Sequence, residues 1–106
     1  MNRGDVYWAN LDVPFGRRPV VVLTRDAAIP VLNSVVAAPV TSTIRGIDSE
    51  VPLGPDEGLR DECIAACDNL VTVPKDAFDP DPLGALGPPK LVLLDWALRY
   101  ALQIRF

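Results

Sequence analysis

The polar and apolar positions change rhythm three times along the chain. Arg3 to Leu11 interleaves Val, Tyr and Trp with polar residues, a composition that suits a half-buried strand. Asp12-Val13-Pro14-Phe15-Gly16 then reads as a turn. Arg18 to Thr24 contains the unbroken run PVVVL and predicts a central strand. Asp26 to Asn33 contains Pro30 and reads as a loop with room for a short helical turn. Ser34 to Ser42 is a second β run, in which Pro39 is expected at an edge or bulge because it has no N–H for a ladder. Ser49 to Leu53, ended by Gly54-Pro55, and Glu62 to Val73 predict two further strands. Short strands at such spacing point to a small barrel or sandwich.

The rhythm breaks at Asp79 to Pro89, which holds four of the 11 prolines. Lys90 to Gln103 then repeats at helical spacing, and Pro89 fits a first helical turn, where no N–H is needed. Asp95, Arg99 and Gln103 lie four apart and form one narrow polar stripe, with Asp95 and Arg99 in the favoured order for a weak ion pair. Nearly every other position is apolar. A helix resting on one side of a small barrel needs only one apolar face. The surplus here predicts a partner surface, most simply a homodimer.

At 106 residues the chain is long enough for one domain and its core, so residues 1–106 are read as a single domain. With 49% apolar and 23% charged residues it is globular. No apolar run approaches the roughly 20 residues that span a bilayer. MNRGDVYWANLD has no apolar core of a signal peptide, and the protein is read as cytoplasmic. The net charge of −4 speaks against nucleic-acid binding, but the charge is uneven. Arg3, Arg17, Arg18, Arg25 and Arg45 dominate the first half, whereas Asp56, Glu57, Asp61, Glu62, Asp76, Asp79 and Asp81 crowd the middle. The two signs can therefore map onto different surfaces.

There is no histidine, which removes Ser-His-Asp and Cys-His chemistry and the commonest metal ligand. Cys63 and Cys67 alone cannot close a zinc site within one chain, and they read as small buried side chains of a reducing compartment, with redox or intermolecular zinc as alternatives. No phosphate-binding loop or dinucleotide fingerprint is present. Two features remain. Arg17-Arg18 offers planar, permanently cationic donors that match phosphate oxygens. Thr41-Ser42-Thr43, followed by Ile44-Arg45-Gly46, places hydroxyls beside a cation at a strand end, where they could hold a phosphodiester. Taken singly, each reads more readily as structure than as a site: a surface cation pair, and a polar strand terminus.

RGDVYWANLD, RRPVVVLT, VVAAPVTSTIRG, EVPLG, CDNLVTVPKD and the apolar terminal helix occur in one order that covers nearly the whole chain. In this combination the sequence resembles the MazF/PemK family of mRNA interferase toxins. The resemblance implies a mainly β (α+β) fold, a small SH3-like β-barrel with added strands and a C-terminal helix. It implies a homodimer that cleaves single-stranded RNA without metal or other cofactor and is held in check by a cognate MazE-like antitoxin with an acidic C-terminal segment. It makes Arg18 and Thr41 the catalytic residues, with attack by the substrate 2′-hydroxyl giving 2′,3′-cyclic phosphate and 5′-hydroxyl ends. Arg17, Ser42, Thr43, Arg45 and Asn69 are the expected RNA-binding residues. An amide at Asn69 can read a base edge or hold a turn. Arginine is a poor base, and no carboxylate has an obvious claim to that role.

The sequence departs from the family in one place. The loop between the first two strands shrinks to Val13-Pro14-Phe15-Gly16, so the loop residues of longer members have no counterpart. Two rivals share the fold: a gyrase-poisoning toxin of the CcdB kind, whose C-terminal pattern the Ile104-Arg105-Phe106 ending does not match, and a non-catalytic SH3-like interaction module.

Overall fold

A computed structural model describes residues 1–105; Phe106, the last of the Ile104-Arg105-Phe106 ending, lies outside the described residues. Among these residues, seven strands, β1 (Asp5–Asn10), β2 (Arg17–Val22), β3 (Ser34–Thr41), β4 (Glu50–Leu53), β5 (Cys63–Ala66), β6 (Val71–Pro74) and β7 (Gly84–Ala85), precede one α-helix, α1 (Pro88–Leu102). The strands pair antiparallel in the order β4-β5-β3-β2-β1-β7, with β6 also on β3. The expected barrel is realised as a curled antiparallel half-barrel carrying one C-terminal helix.

β3 is the axis of the sheet. One edge pairs with β2 through Val22↔Ala37, Val21↔Ala38 and Val20↔Pro39. The other edge pairs first with β6, ending at Ala37↔Val71, and then with β5, starting at Val40↔Ala65. Two expectations change here. The single strand expected over Glu62 to Val73 is two strands joined by a 3-10 turn, Cys67–Asn69. Both must reach β3 at different ends, and Asp68-Asn69 supply the turn chemistry that lets the chain step across. Pro39 lies inside β3 rather than at an edge or bulge. The Leu23 N–H donates to the Val36 carbonyl at 2.9 Å, so alternation along the ladder makes Val20↔Pro39 a non-hydrogen-bonded pair. The proline nitrogen then faces the gap where β6 has ended and β5 has not begun, and no ladder bond is lost.

β2 reads as an unbroken aliphatic run because both of its faces are covered. Val21 joins Val6, Ala38, Val40, Val51, Ala65, Leu94 and Ala97 beneath the helix. Val20 packs with Ala9, Ala37 and Val73, and Val22 with Tyr7, Ile29 and Val35, on the opposite side. The Asp79 to Pro89 break hides β7, whose two residues pair with Asp5 and Val6. Gly58 makes that approach possible. It has φ +83°, and a Cβ there would stand 1.9 Å from the Leu83 carbonyl oxygen.

α1 begins with Pro88 and Pro89 in its first turn and ends on Gln103 in the left-handed conformation. It is anchored by Leu94 and Ala97, both buried, and by Asp95, which accepts a hydrogen bond from the Arg3 guanidinium at 2.8 Å. Its outer face carries Leu93, Trp96 and Tyr100, the two aromatics each 62% exposed. No helix among the described residues is long and apolar enough to cross a membrane.

Cys63 and Cys67 are free and buried. Burial, followed by the nearby Asp68 charge, pushes the Cys67 thiol up to about 11. Burial likewise raises Cys63. Neither should be thiolate at neutral pH. In the native protein at pH 8, both are expected to resist iodoacetamide for hours and to react within minutes in guanidinium, as read by mass spectrometry.

Candidate active site

Strand register brings the first two functional side chains together. Val20 stands opposite Pro39. Two residues further along each antiparallel strand, Arg18 comes level with Thr41, on the same face because strand side chains alternate. Neighbouring strands lie about 4.8 Å apart, so the guanidinium and the hydroxyl share one corner of the sheet. Thr41 is next opposed by Ile64 on β5, and Ala66 by Glu50 on β4. Arg18, Pro39, Thr41, Ile64, Ala66 and Glu50 form the floor of a pocket of about 180 Å³.

Each wall has a local cause. The short loop after β1 is closed by the Leu11 N–H on the Gly16 carbonyl at 3.1 Å, and it presents Phe15 to Arg18. Arg18 Nε donates to the Phe15 carbonyl at 2.8 Å, and its guanidinium carbon lies 5.7 Å from the Phe15 ring centroid. One edge of the guanidinium is thus fixed, while its two terminal nitrogens have no acceptor among the described residues. At the end of β3, Thr41 Oγ1 accepts the Thr43 N–H at 3.2 Å. That contact uses an oxygen lone pair and leaves the hydroxyl proton free to donate. Glu50 Oε1 accepts the N–H groups of Arg45 and Gly46, both at 3.0 Å. It ties down the segment that brings Thr43 and Arg45 to the rim. On the far side, Ser49, 1% exposed, donates its hydroxyl to Asp68 Oδ2 at 2.5 Å, next to Asn69.

Of the residues expected from sequence, Arg18, Thr41, Thr43, Arg45 and Asn69 line this pocket; Arg17 and Ser42 do not. Arg17 is adjacent to Arg18 on a strand and therefore points to the other face. There it makes a bidentate pair with Asp79 at 2.9 and 2.7 Å, donates to Asn10 at 3.3 Å and lies 5.3 Å from the Trp8 ring centroid. The Arg17 hydrogen bonds hold the Asp79 carboxyl below the usual carboxylate range. Ser42 lies just past the strand end and is exposed. Phe15, Ser49 and Glu50 enter the pocket without having been singled out. Their only sequence signals are position: Phe15 three residues before Arg18, and Ser49-Glu50 opening a short strand.

A profile of the PemK-like, MazF-like toxins of type II toxin–antitoxin systems matches residues 2–102. The chain belongs to this family. Over 53 residues it is 58% identical to the probable endoribonuclease MazF5 of Mycobacterium tuberculosis, an alignment covering 50% of this chain and 48% of that protein. The chain spans about half the length of the first curated relatives it matches. Among solved structures, the Mycobacterium tuberculosis toxin MazF-mt6 superposes with a TM-score of 0.88 at 32% identity, covering 96% of this chain and 99% of that one. An endoribonuclease in complex with its cognate antitoxin, from a mycobacterial species, superposes with a TM-score of 0.85 at 30% identity, covering 100% of this chain and 98% of that one. The family's fold is thus matched over essentially its full extent.

Proposed function

We propose that this MazF-family toxin is an endoribonuclease that cuts single-stranded RNA at short sequences in the cytoplasm. The observation that carries the reading is the placement of Arg18 level with Thr41 in one pocket, with guanidinium nitrogens and a hydroxyl proton uncommitted. The nucleophile belongs to the substrate. The ribose 2′-oxygen attacks the adjacent phosphorus and loses its proton, the bond to the 5′-oxygen breaks, and that oxygen gains a proton. The ends left are a 2′,3′-cyclic phosphate and a 5′-hydroxyl. Negative charge grows on the phosphoryl oxygens in the transition state, and Arg18 meets it with a fixed cation already oriented by the Phe15 carbonyl. Thr41 donates to a phosphoryl oxygen and holds the group in line for attack. Thr43 and Arg45 grip the flanking backbone. No step calls for a metal or an organic cofactor.

The same reading assigns the partners. The exposed Leu93, Trp96 and Tyr100 face of α1 supports a homodimer. A cognate antitoxin with an acidic segment would compete with RNA for Arg18 and Arg45, as charge complementarity favours. The CcdB-like and non-catalytic readings give no reason for an uncommitted guanidinium beside a hydroxyl.

The test is incubation of the purified protein with a long single-stranded RNA in EDTA, with cut sites mapped by primer extension. Discrete cuts at a recurring short sequence are expected. Intact RNA from folded protein, across substrates that together contain every five-base sequence, would refute the nuclease.

A further inference from the structure

Residues 42 to 48 carry two of the expected RNA contacts, Thr43 and Arg45, yet all of them are exposed and none lies in a strand or helix. A segment of this kind has few means of holding its shape. Among the described residues, three devices hold it. Thr41 Oγ1 accepts the Thr43 N–H, the Ile47 carbonyl accepts the Glu50 N–H at 3.1 Å, and the Glu50 carboxylate accepts the Arg45 and Gly46 N–H groups. Gly46 has φ +71° with nothing within 4 Å of where a Cβ would stand, so glycine serves the bend there and not a close approach. Two successive N–H groups at such a bend form a concavity that takes an anion. Here the anion is the protein's own. Glu50 Oε1 takes both N–H groups at 3.0 Å, while Oε2 has only a 3.4 Å contact with the Arg45 N–H. The Arg45 guanidinium makes no ion pair among the described residues, so Glu50 fixes its backbone without neutralising its charge. The arrangement has a cost, because a carboxylate lining the pocket repels a polyanion.

We infer that Glu50 is a positioning residue: it holds Thr43 and Arg45 in the shape that grips the RNA backbone, and it does so through one acceptor oxygen rather than through its charge. This rests on the nuclease reading above and adds a residue that serves its substrate. The oxygen and the charge are separable. A glutamine carboxamide keeps an oxygen in the place of Oε1 and puts its NH₂ in the place of Oε2, whose one contact is the long one. Glutamine therefore keeps the rim in shape and sheds the repulsion. Alanine sheds the repulsion too, but it leaves the Arg45 and Gly46 N–H groups without their acceptor and the segment free to wander. The cost of ordering that segment then falls on RNA binding. The two substitutions should move RNA affinity in opposite directions.

The test measures kcat and KM of the full-length protein on an RNA oligonucleotide spanning a mapped cut, at several salt concentrations. Glu50→Ala is expected to raise KM about 10-fold while kcat falls less than about threefold. Its KM should also depend less steeply on salt, by about one phosphate contact, because Arg45 is no longer held in place. Glu50→Gln is expected to lower KM about two- to threefold below wild type. Gly46→Ala leaves Glu50 intact and strains the bend. It should reproduce the raised KM and the shallower salt dependence, and it decides the matter should Glu50→Ala fail to fold. Equal losses of kcat in Glu50→Gln and Glu50→Ala would overturn the assignment by placing the carboxylate in the chemistry. Equal falls of KM in the two would overturn it as well, since charge alone would then count. So would an unchanged KM in folded Glu50→Ala. A wild-type protein that cuts no RNA refutes the nuclease reading, and this one with it; wild-type cutting with KM raised as much by Glu50→Gln as by Glu50→Ala refutes this one alone.

Discussion

Arg18→Ala is expected to lower the single-turnover cleavage rate by about 10²- to 10³-fold while leaving the protein folded. Arg18 is half-buried at the strand end, and among the described residues the one hydrogen bond of its side chain goes to a loop carbonyl. Its removal should cost little stability, whereas the transition state loses the fixed cation nearest the phosphoryl oxygens. Arg18→Lys should recover only part of the rate. An ammonium supplies charge but cannot bond the Phe15 carbonyl and two phosphoryl oxygens from one plane. Arg17→Ala is the internal contrast. Arg17 sits on the opposite face, paired with Asp79, so cleavage should stay within about threefold of wild type. Equal losses in the Arg17 and Arg18 variants would mean that general surface charge, not placement, drives the reaction.

Leu94→Ala should have the largest effect on stability. Leu94 is 0% exposed and is the larger of the two buried helix side chains, with Ala97, that enter the main core beside Val6, Val21 and Val51. Removing a buried leucine side chain down to alanine costs about 3 kcal/mol, from lost transfer energy and the cavity left behind. At about 5 °C per kcal/mol for a chain of this size, the melting temperature should fall by about 15 °C. Thermal unfolding followed by circular dichroism reads this directly, at fixed protomer concentration because association shifts the midpoint. Trp96→Ala, on the outer face of the same helix, should instead show its effect in the concentration dependence of sedimentation. A Leu94→Ala shift below about 4 °C would mean that the helix is not anchored through the half-barrel core.

Sequence pattern reached the main elements because they obey simple periods. The aliphatic run of β2, the alternation in β1 and the 3.6-residue spacing of α1 are local signals. The forking of the sheet is not. Whether Glu62 to Val73 forms one strand or two depends on where β3 offers an edge, and only tertiary pairing decides that. Pro39 misled for the same reason. A proline is excluded from a ladder only where a donor is needed, and the gap between β5 and β6 needs none. In the site, Arg18 and Thr41 stood out through residue chemistry at strand ends. The sorting of Arg17 from Arg18 follows from strand alternation once β2 is known to include both. Asp68 and Glu50 could not be given roles from sequence, because their hydrogen-bond partners come from segments 4 to 19 residues away. Phe15 gains its place from the short loop closed by the Leu11 N–H on the Gly16 carbonyl, a contact that no residue pattern announces.

The source of the nucleophile decides whether Arg18 and Thr41 have the roles given to them. The most direct measurement replaces one ribose, immediately 5′ of a mapped cut, with 2′-deoxyribose in an otherwise unchanged RNA. Cleavage at that bond is expected to disappear while neighbouring sites are still cut, and products from unmodified RNA are expected to carry 2′,3′-cyclic phosphate and 5′-hydroxyl ends. Undiminished cleavage at the deoxy position, or 5′-phosphate ends, would mean that water or a protein group attacks, and would contradict the roles given to Arg18 and Thr41.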